Sequence, residues 1–76
     1  MSVLSDLRNG EKAHVASIDP QCGIRQRLMD IGLVHNSEVE CLGRSPGGDP
    51  IAYLICGAVI AIRKEDAAMV EVETWT

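Results

Sequence analysis

Closely spaced turn residues cut this chain into pieces of strand length, and that punctuation constrains its fold more than anything else in it. Asp19-Pro20-Gln21-Cys22-Gly23, Ser45-Pro46-Gly47-Gly48-Asp49-Pro50 and Gly57 are the main breaks. Asp-Pro favours a turn, and the residue before a proline is steered away from helix. Between the breaks lie runs with strand character. Lys12 to Ile18 is the first. Glu38 to Arg44 alternates imperfectly, with Val39 and Cys41 on one face and Glu38, Glu40, Leu42 and Arg44 on the other. Ile51 to Cys56 is apolar on both faces: Ile51, Tyr53 and Ile55 against Ala52, Leu54 and Cys56. Gly57 marks a hairpin into Ala58 to Ile62, with Ala58, Ile60 and Ile62 on one side. Met69 to Glu73 alternates again, Val70 and Val72 opposing Met69, Glu71 and Glu73.

One segment follows a different period. Ile24, Leu28 and Ile31 fall at i, i+4 and i+7, which sets them on one helical face. Arg25, Gln26, Arg27 and Asp30 cover the rest, and Gly32 stands where a left-handed cap belongs. Leu33 and Val34 return to the core. Leu4-Ser5-Asp6-Leu7 with Gly10 reads as an opening turn whose leucines plug one end of the core. Lys64 to Ala68 fits a last helical turn. Five short strands, close turns and one helix predict a mainly β fold: a small, partly open barrel, one domain over residues 1–76.

Composition narrows the function classes. At 76 residues the chain supports one thin core. A domain of this size buries only about 60–65% of its unfolded surface. With no Phe, one Trp and one Tyr, the core must be aliphatic. A net charge of −4 argues against a nucleic-acid backbone as partner, which needs clustered Lys and Arg. So few aromatics also leave no platform for stacking bases. The first residues lack a basic, apolar leader, and no run is long enough to span a bilayer, so direct membrane insertion is not expected. Three cysteines without paired spacing read as reduced thiols and a cytoplasmic setting.

No chemistry stands out. The metal-ligand candidates are His14, His35, Cys22, Cys41 and Cys56, without a Cys-x-x-Cys or His-x-x-x-His clamp. Cys41 and Cys56 read as strand thiols at core or near-surface positions, and Cys22 as a loop thiol open to solvent. No metal site is expected. The 45–50 turn lacks the lysine and spacing of a phosphate-binding loop, and its aspartate would repel phosphates. No nucleophile elbow or paired carboxylates appear. The expectation is a non-enzyme without a cofactor.

The most informative anomaly is apolar residues on the strand face that should be wet. Leu42, Leu54 and Val59 lie opposite the core set, with Ala52, Cys56 and Ala61 among them. Either the helix or the N-terminal segment covers this face, or it is a docking or self-association patch. In the second case Arg44 and Arg63 form its basic rim. Leu42, Leu54, Val59, Arg44 and Arg63 are therefore the candidate partner-binding residues.

Several of these segments resemble FeoA, the family of small ferrous-iron-transport accessory proteins with an SH3-like barrel. Gly10 and the strand after it resemble that family's opening. Arg27-Leu28-Met29-Asp30-Ile31-Gly32-Leu33 is similar to its Arg/Lys-Leu-x-x-(apolar)-Gly-(apolar) segment. Gly48-Asp49-Pro50-Ile51 is similar to its Gly-Asp-Pro turn. Ile60 to Ala67 is similar to its strand-to-turn exit, and Val70-Glu71-Val72 to its last strand. The likeness runs from about residue 4 to residue 73. His35-Asn36 stands where the family usually has Pro-Gly, a turn that Asn36 still permits through a positive φ.

The resemblance implies an interaction module of ferrous iron uptake. Its partner would be the cytosolic, GTP-binding part of the FeoB membrane transporter, which would hold the module at the inner face of the membrane. A homo-oligomer is compatible with the same patch. The same barrel forms the C-terminal domain of iron-dependent repressors, so a stand-alone metal-sensing regulatory domain is the alternative. A generic peptide adaptor fits less well, because aromatic-lined grooves need several Trp or Tyr.

Overall fold

The computed structural model describes residues 2–74. Its elements run β1 (Ser2–Val3), a 3-10 turn (Leu4–Asp6), β2 (Lys12–Ile18), α1 (Arg25–Asp30), β3 (Glu38–Arg44), β4 (Ile51–Ile55), β5 (Ala58–Ile62), α2 (Lys64–Ala67) and β6 (Val70–Thr74). The strands form one antiparallel sheet in the order β1-β6-β2-β3-β4-β5. Curled on itself, this sheet is the partly open, mainly β barrel expected, and it stays unclosed between β1 and β5.

The five expected strands and the helix are all present, with ends shifted by a residue or two at most. The structure adds the two-residue β1, paired to β6 through Ser2↔Val72 and Val3↔Glu71. Alternation cannot declare itself over two residues, so the sequence showed only a turn there.

Alternation puts one face of each strand inside. Ala13, Val15, Val39, Cys41, Ile51, Tyr53, Ile55, Ile62, Val70 and Val72 are buried together. Leu4 and Leu7 close one end from the 3-10 turn, and Leu28 and Leu33 come from α1 and the turn after it. The core is aliphatic apart from Tyr53, whose hydroxyl donates to the Leu4 carbonyl at 3.1 Å. That bond ties the strand interior to the plug and satisfies a polar atom that burial would otherwise penalise.

Two bulges shape the sheet. The first lies between Val15 and Ser17 of β2. Just before it, past His14↔Glu38, β2 stops pairing with β3 and bonds the 34–37 turn instead: Asn36 N–H donates to Val15 O at 2.6 Å, and Val15 N–H to Ser37 O at 2.9 Å. Asn36 has φ +72°, as its place in the turn requires. The second bulge lies between Cys41 and Gly43 of β3, leaving Leu42 as the extra residue.

Two thiols lie elsewhere than the sequence suggested. Cys22 is buried at 5% exposure, because the 19–23 turn folds it under α1 onto the core. Cys56 is exposed and outside the strand. The hairpin closes on Ile55↔Ala58, so Cys56 and Gly57 are its two turn residues, with φ +50° and +81°. Such a pair of positive φ values matches the twist of the flanking strands.

Candidate docking surface

The outer face of the sheet is built by register. Leu54 of β4 lies directly across from Val59 of β5 and from Glu40 of β3. Ala52 lies across from Ala61 one step along the same face. The Leu42 bulge adds its side chain beside this row. Leu42 is 41% exposed and Val59 66% exposed, while Leu54 between them is half-buried.

α1 packs on the other side, its Ile24, Leu28 and Ile31 meeting Ile60 and Ile62 across a groove of about 250 Å³. The N-terminal turn closes the end of the barrel. Leu42, Leu54 and Val59 are thus brought together on one open face.

The two arginines expected at the rim are held differently. The bulge at Leu42 shifts the alternation of β3 by one residue, so Arg44 lies opposite Ile51, and its side chain, still exposed, reaches over the end of the barrel. Its Nη2 donates to the carbonyls of Ser5 at 3.0 Å and Leu7 at 3.2 Å, clamping the 3-10 turn onto the barrel. Gly43 was the signal for this, since glycine inside a strand often marks a bulge. Arg63 does stand at the end of the patch, just after β5. Its guanidinium lies 3.6 Å from Glu65 and 3.7 Å from Asp66, with Arg63 and Glu65 both open to solvent. On the opposite border the patch meets acid: Glu40 beside Leu54, and Glu38 further along β3.

The Gly-Asp-Pro turn has a positioning role. Asp49 Oδ1 accepts from the Lys64 backbone N–H at 2.9 Å, so the 45–50 loop holds the start of α2 and with it the exit of β5. A carboxylate is well placed there, because first-turn N–H groups lack helical partners.

Candidate ligating groups are scattered. His35 Nδ1 is 2.8 Å from the Ala16 carbonyl in the bulge of β2, and His14 sits across the sheet between Glu38 and Glu73. Cys41 Sγ is buried and lies 3.9 Å from Oδ1 of the exposed Asn9. Among the described residues no three His, Cys, Asp or Glu side chains are grouped to hold a metal ion. No described helix is long and apolar enough to cross a membrane.

Burial pushes the Tyr53 phenol well above its ordinary pKa; the nearby Cys41 and Asp6 add to this, and Arg44 partly opposes it. The rise is a consequence of packing rather than of a reactive site, since the hydroxyl is spent on a backbone carbonyl.

Comparison with known proteins places this geometry. The FeoA domain model matches residues 3–74. The chain is 33% identical over 70 residues to an Fe(2+) transport protein A/Fe(2+) transporter FeoB fusion protein of Porphyromonas gingivalis, covering 92% of this chain and 8% of that one. It therefore spans only a small part of that curated relative. The solution structure of FeoA from Chlorobium tepidum superposes with a TM-score of 0.90 at 34% identity, over 97% of this chain and 70% of that one. The zinc complex of Stenotrophomonas maltophilia FeoA, described as a prokaryotic SH3 domain protein, does so with a TM-score of 0.85 at 28% identity, over 96% and 91% of the two chains. A manganese-dependent transcriptional repressor shares the fold at 21% identity, with a TM-score of 0.87, over 97% of this chain and 41% of that one. The family match over nearly the whole chain, the FeoA/FeoB fusion relative and the shared SH3-like barrel agree: the chain belongs to the FeoA domain family, which is linked to ferrous iron transport.

Proposed function

We propose that this chain is a cytoplasmic accessory of ferrous iron uptake that docks on the cytosolic part of a FeoB-type transporter and biases its conformation. The observation that carries this reading is the open apolar face of β3, β4 and β5. Leu42, Leu54 and Val59 stand together there with Ala52 and Ala61, on a sheet face that a free monomer would line with polar groups. Arg63 marks one end of the contact. The fusion relative supports the choice of partner, because a shared chain holds two modules at high effective concentration. The barrel acts by binding, and it shifts the transporter only as far as it prefers one of its states. Direct titration of the purified chain into the purified cytosolic part of a FeoB-type transporter tests this. Saturable one-to-one binding is expected, and its strength should change with the nucleotide bound to the transporter. No binding in any nucleotide state refutes it.

The repressor-like fold keeps a second reading in view, a regulatory domain that senses metal directly. Equilibrium dialysis against manganese or ferrous ion separates the two. One tightly held equivalent favours the sensor.

A further inference from the structure

The geometry points to strand addition as the mode of docking: an extended segment of the transporter's cytosolic part pairs with the free edge of β5. This inference rests on the docking reading above and adds the sheet edge bordering the outer face to its contact.

The two edges of the sheet differ. β1 is protected by its brevity, two residues long. β5 is five residues, Ala58-Val59-Ile60-Ala61-Ile62, with no charge, no proline and no break in its register with β4. Those are the devices that normally keep an edge from pairing.

The register also says which backbone groups are open. The two-residue turn makes Ile55↔Ala58 a hydrogen-bonded pair, and such pairs alternate along an antiparallel ladder. Ala58, Ile60 and Ile62 therefore turn their N–H and C=O groups to β4. Val59 and Ala61 turn theirs outward, and no backbone bond to either occurs among the described residues.

Beside this edge lies the groove between α1 and β5, apolar through Ile24, Leu28, Ile31 and Ile60. An added strand would place alternate side chains into it, which supplies selectivity beyond backbone pairing. Charge selects the occupant. Arg27 lines the groove together with Arg63 and Asp66, which pair with each other, and its own guanidinium makes no ion pair or hydrogen bond among the described residues, on a chain of net charge −4. The fitting segment is apolar at alternate positions and carries a carboxylate for Arg27. A second copy's β5 has no acidic residue to offer.

The test is amide exchange by NMR on the labelled chain, alone and with the cytosolic part of a FeoB-type transporter. In the free chain the Val59 and Ala61 amides should exchange fast and those of Ala58 and Ile60 slowly. Binding should protect Val59 and Ala61 selectively. Ala61→Pro removes one outward donor and leaves the β4 ladder intact, so it should weaken binding about tenfold or more while the Ala58 and Ile60 amides stay protected. Arg27→Glu should weaken binding through charge reversal. If the wild type binds but the two outward amides stay unprotected and Ala61→Pro binds equally well, strand addition is wrong and the docking reading stands. If the wild type does not bind, both fall. Concentration-dependent protection of the two amides without the transporter would show self-pairing and overturn the choice of occupant.

Discussion

The Cys56 thiol lies against the Gly32 backbone, 3.6 Å from its carbonyl oxygen, and a Cβ built on Gly32 would come within 2.5 Å of the sulfur. The β4–β5 turn and the end of α1 therefore meet at a position open only to glycine, which also has φ +105°. Gly32→Ala should cost about 1–3 kcal/mol in a urea titration, from steric contact and backbone strain together. In a Cys56→Ala background the nearest sulfur is gone and the Cys56 Cβ, at 3.3 Å, becomes the close contact. The cost should then fall by about 0.5–1 kcal/mol, a coupling expected of touching residues. Equal costs in both backgrounds would mean that φ alone requires the glycine.

Leu28 is the one fully inserted side chain of α1, 2% exposed, with Ile24 and Ile31 only partly buried at its flanks. Leu28→Ala should lower stability by about 2–4 kcal/mol, the usual cost of a core leucine. In so small a domain that is a large share of the total. A shift under about 1 kcal/mol would show that the helix is loosely held.

Arg44, though exposed, ties the 3-10 turn to β3. Arg44→Ala removes two charge-assisted bonds to the 3-10 turn and should cost about 1–3 kcal/mol. Its effect on transporter binding should be small once the loss of folded protein is allowed for. A salt-dependent loss of association rate with unchanged stability would return Arg44 to the interface.

Tyr53 should make stability fall at high pH. Its phenol is held protonated in the folded chain and ionises near pH 10 when unfolded, so above that the unfolded state carries fewer protons. Stability is then intact below about pH 10 and declines above it, by at most about 1.4 kcal/mol per pH unit. The chain has a single tyrosine, so ultraviolet titration reads it without overlap from another. Tyr53→Phe should abolish this part of the slope. An ordinary phenol titration in the folded chain would contradict its burial.

The strands and the helix were legible because alternation and the Ile24-Leu28-Ile31 spacing record which face is buried. The apolar patch was legible for the same reason, since Leu54 and Val59 break that record on the outer face. The bonds of Arg44 to the 3-10 turn were not legible, because one extra residue at Leu42 inverts the alternation after it and only Gly43 hinted at the bulge. Cys56 looked like strand because its positive φ comes from hairpin closure, which no feature of a cysteine announces. The open edge of β5 was out of reach, because strand order is a property of the whole sheet.

Contact between the outer β3–β5 face and the transporter is tested most directly by one substitution. Leu54→Lys puts a charge in the middle of the patch and faces Glu40 across the sheet, so the barrel can absorb it by pairing. Binding to the cytosolic part of a FeoB-type transporter is measured by titration calorimetry, with circular dichroism and a melt on the same sample. The expected result is a folded domain whose affinity falls at least about a hundredfold, because docking would have to desolvate the charged pair and would lose the leucine at the centre of the patch. A folded Leu54→Lys domain that binds as tightly as the wild type would contradict it.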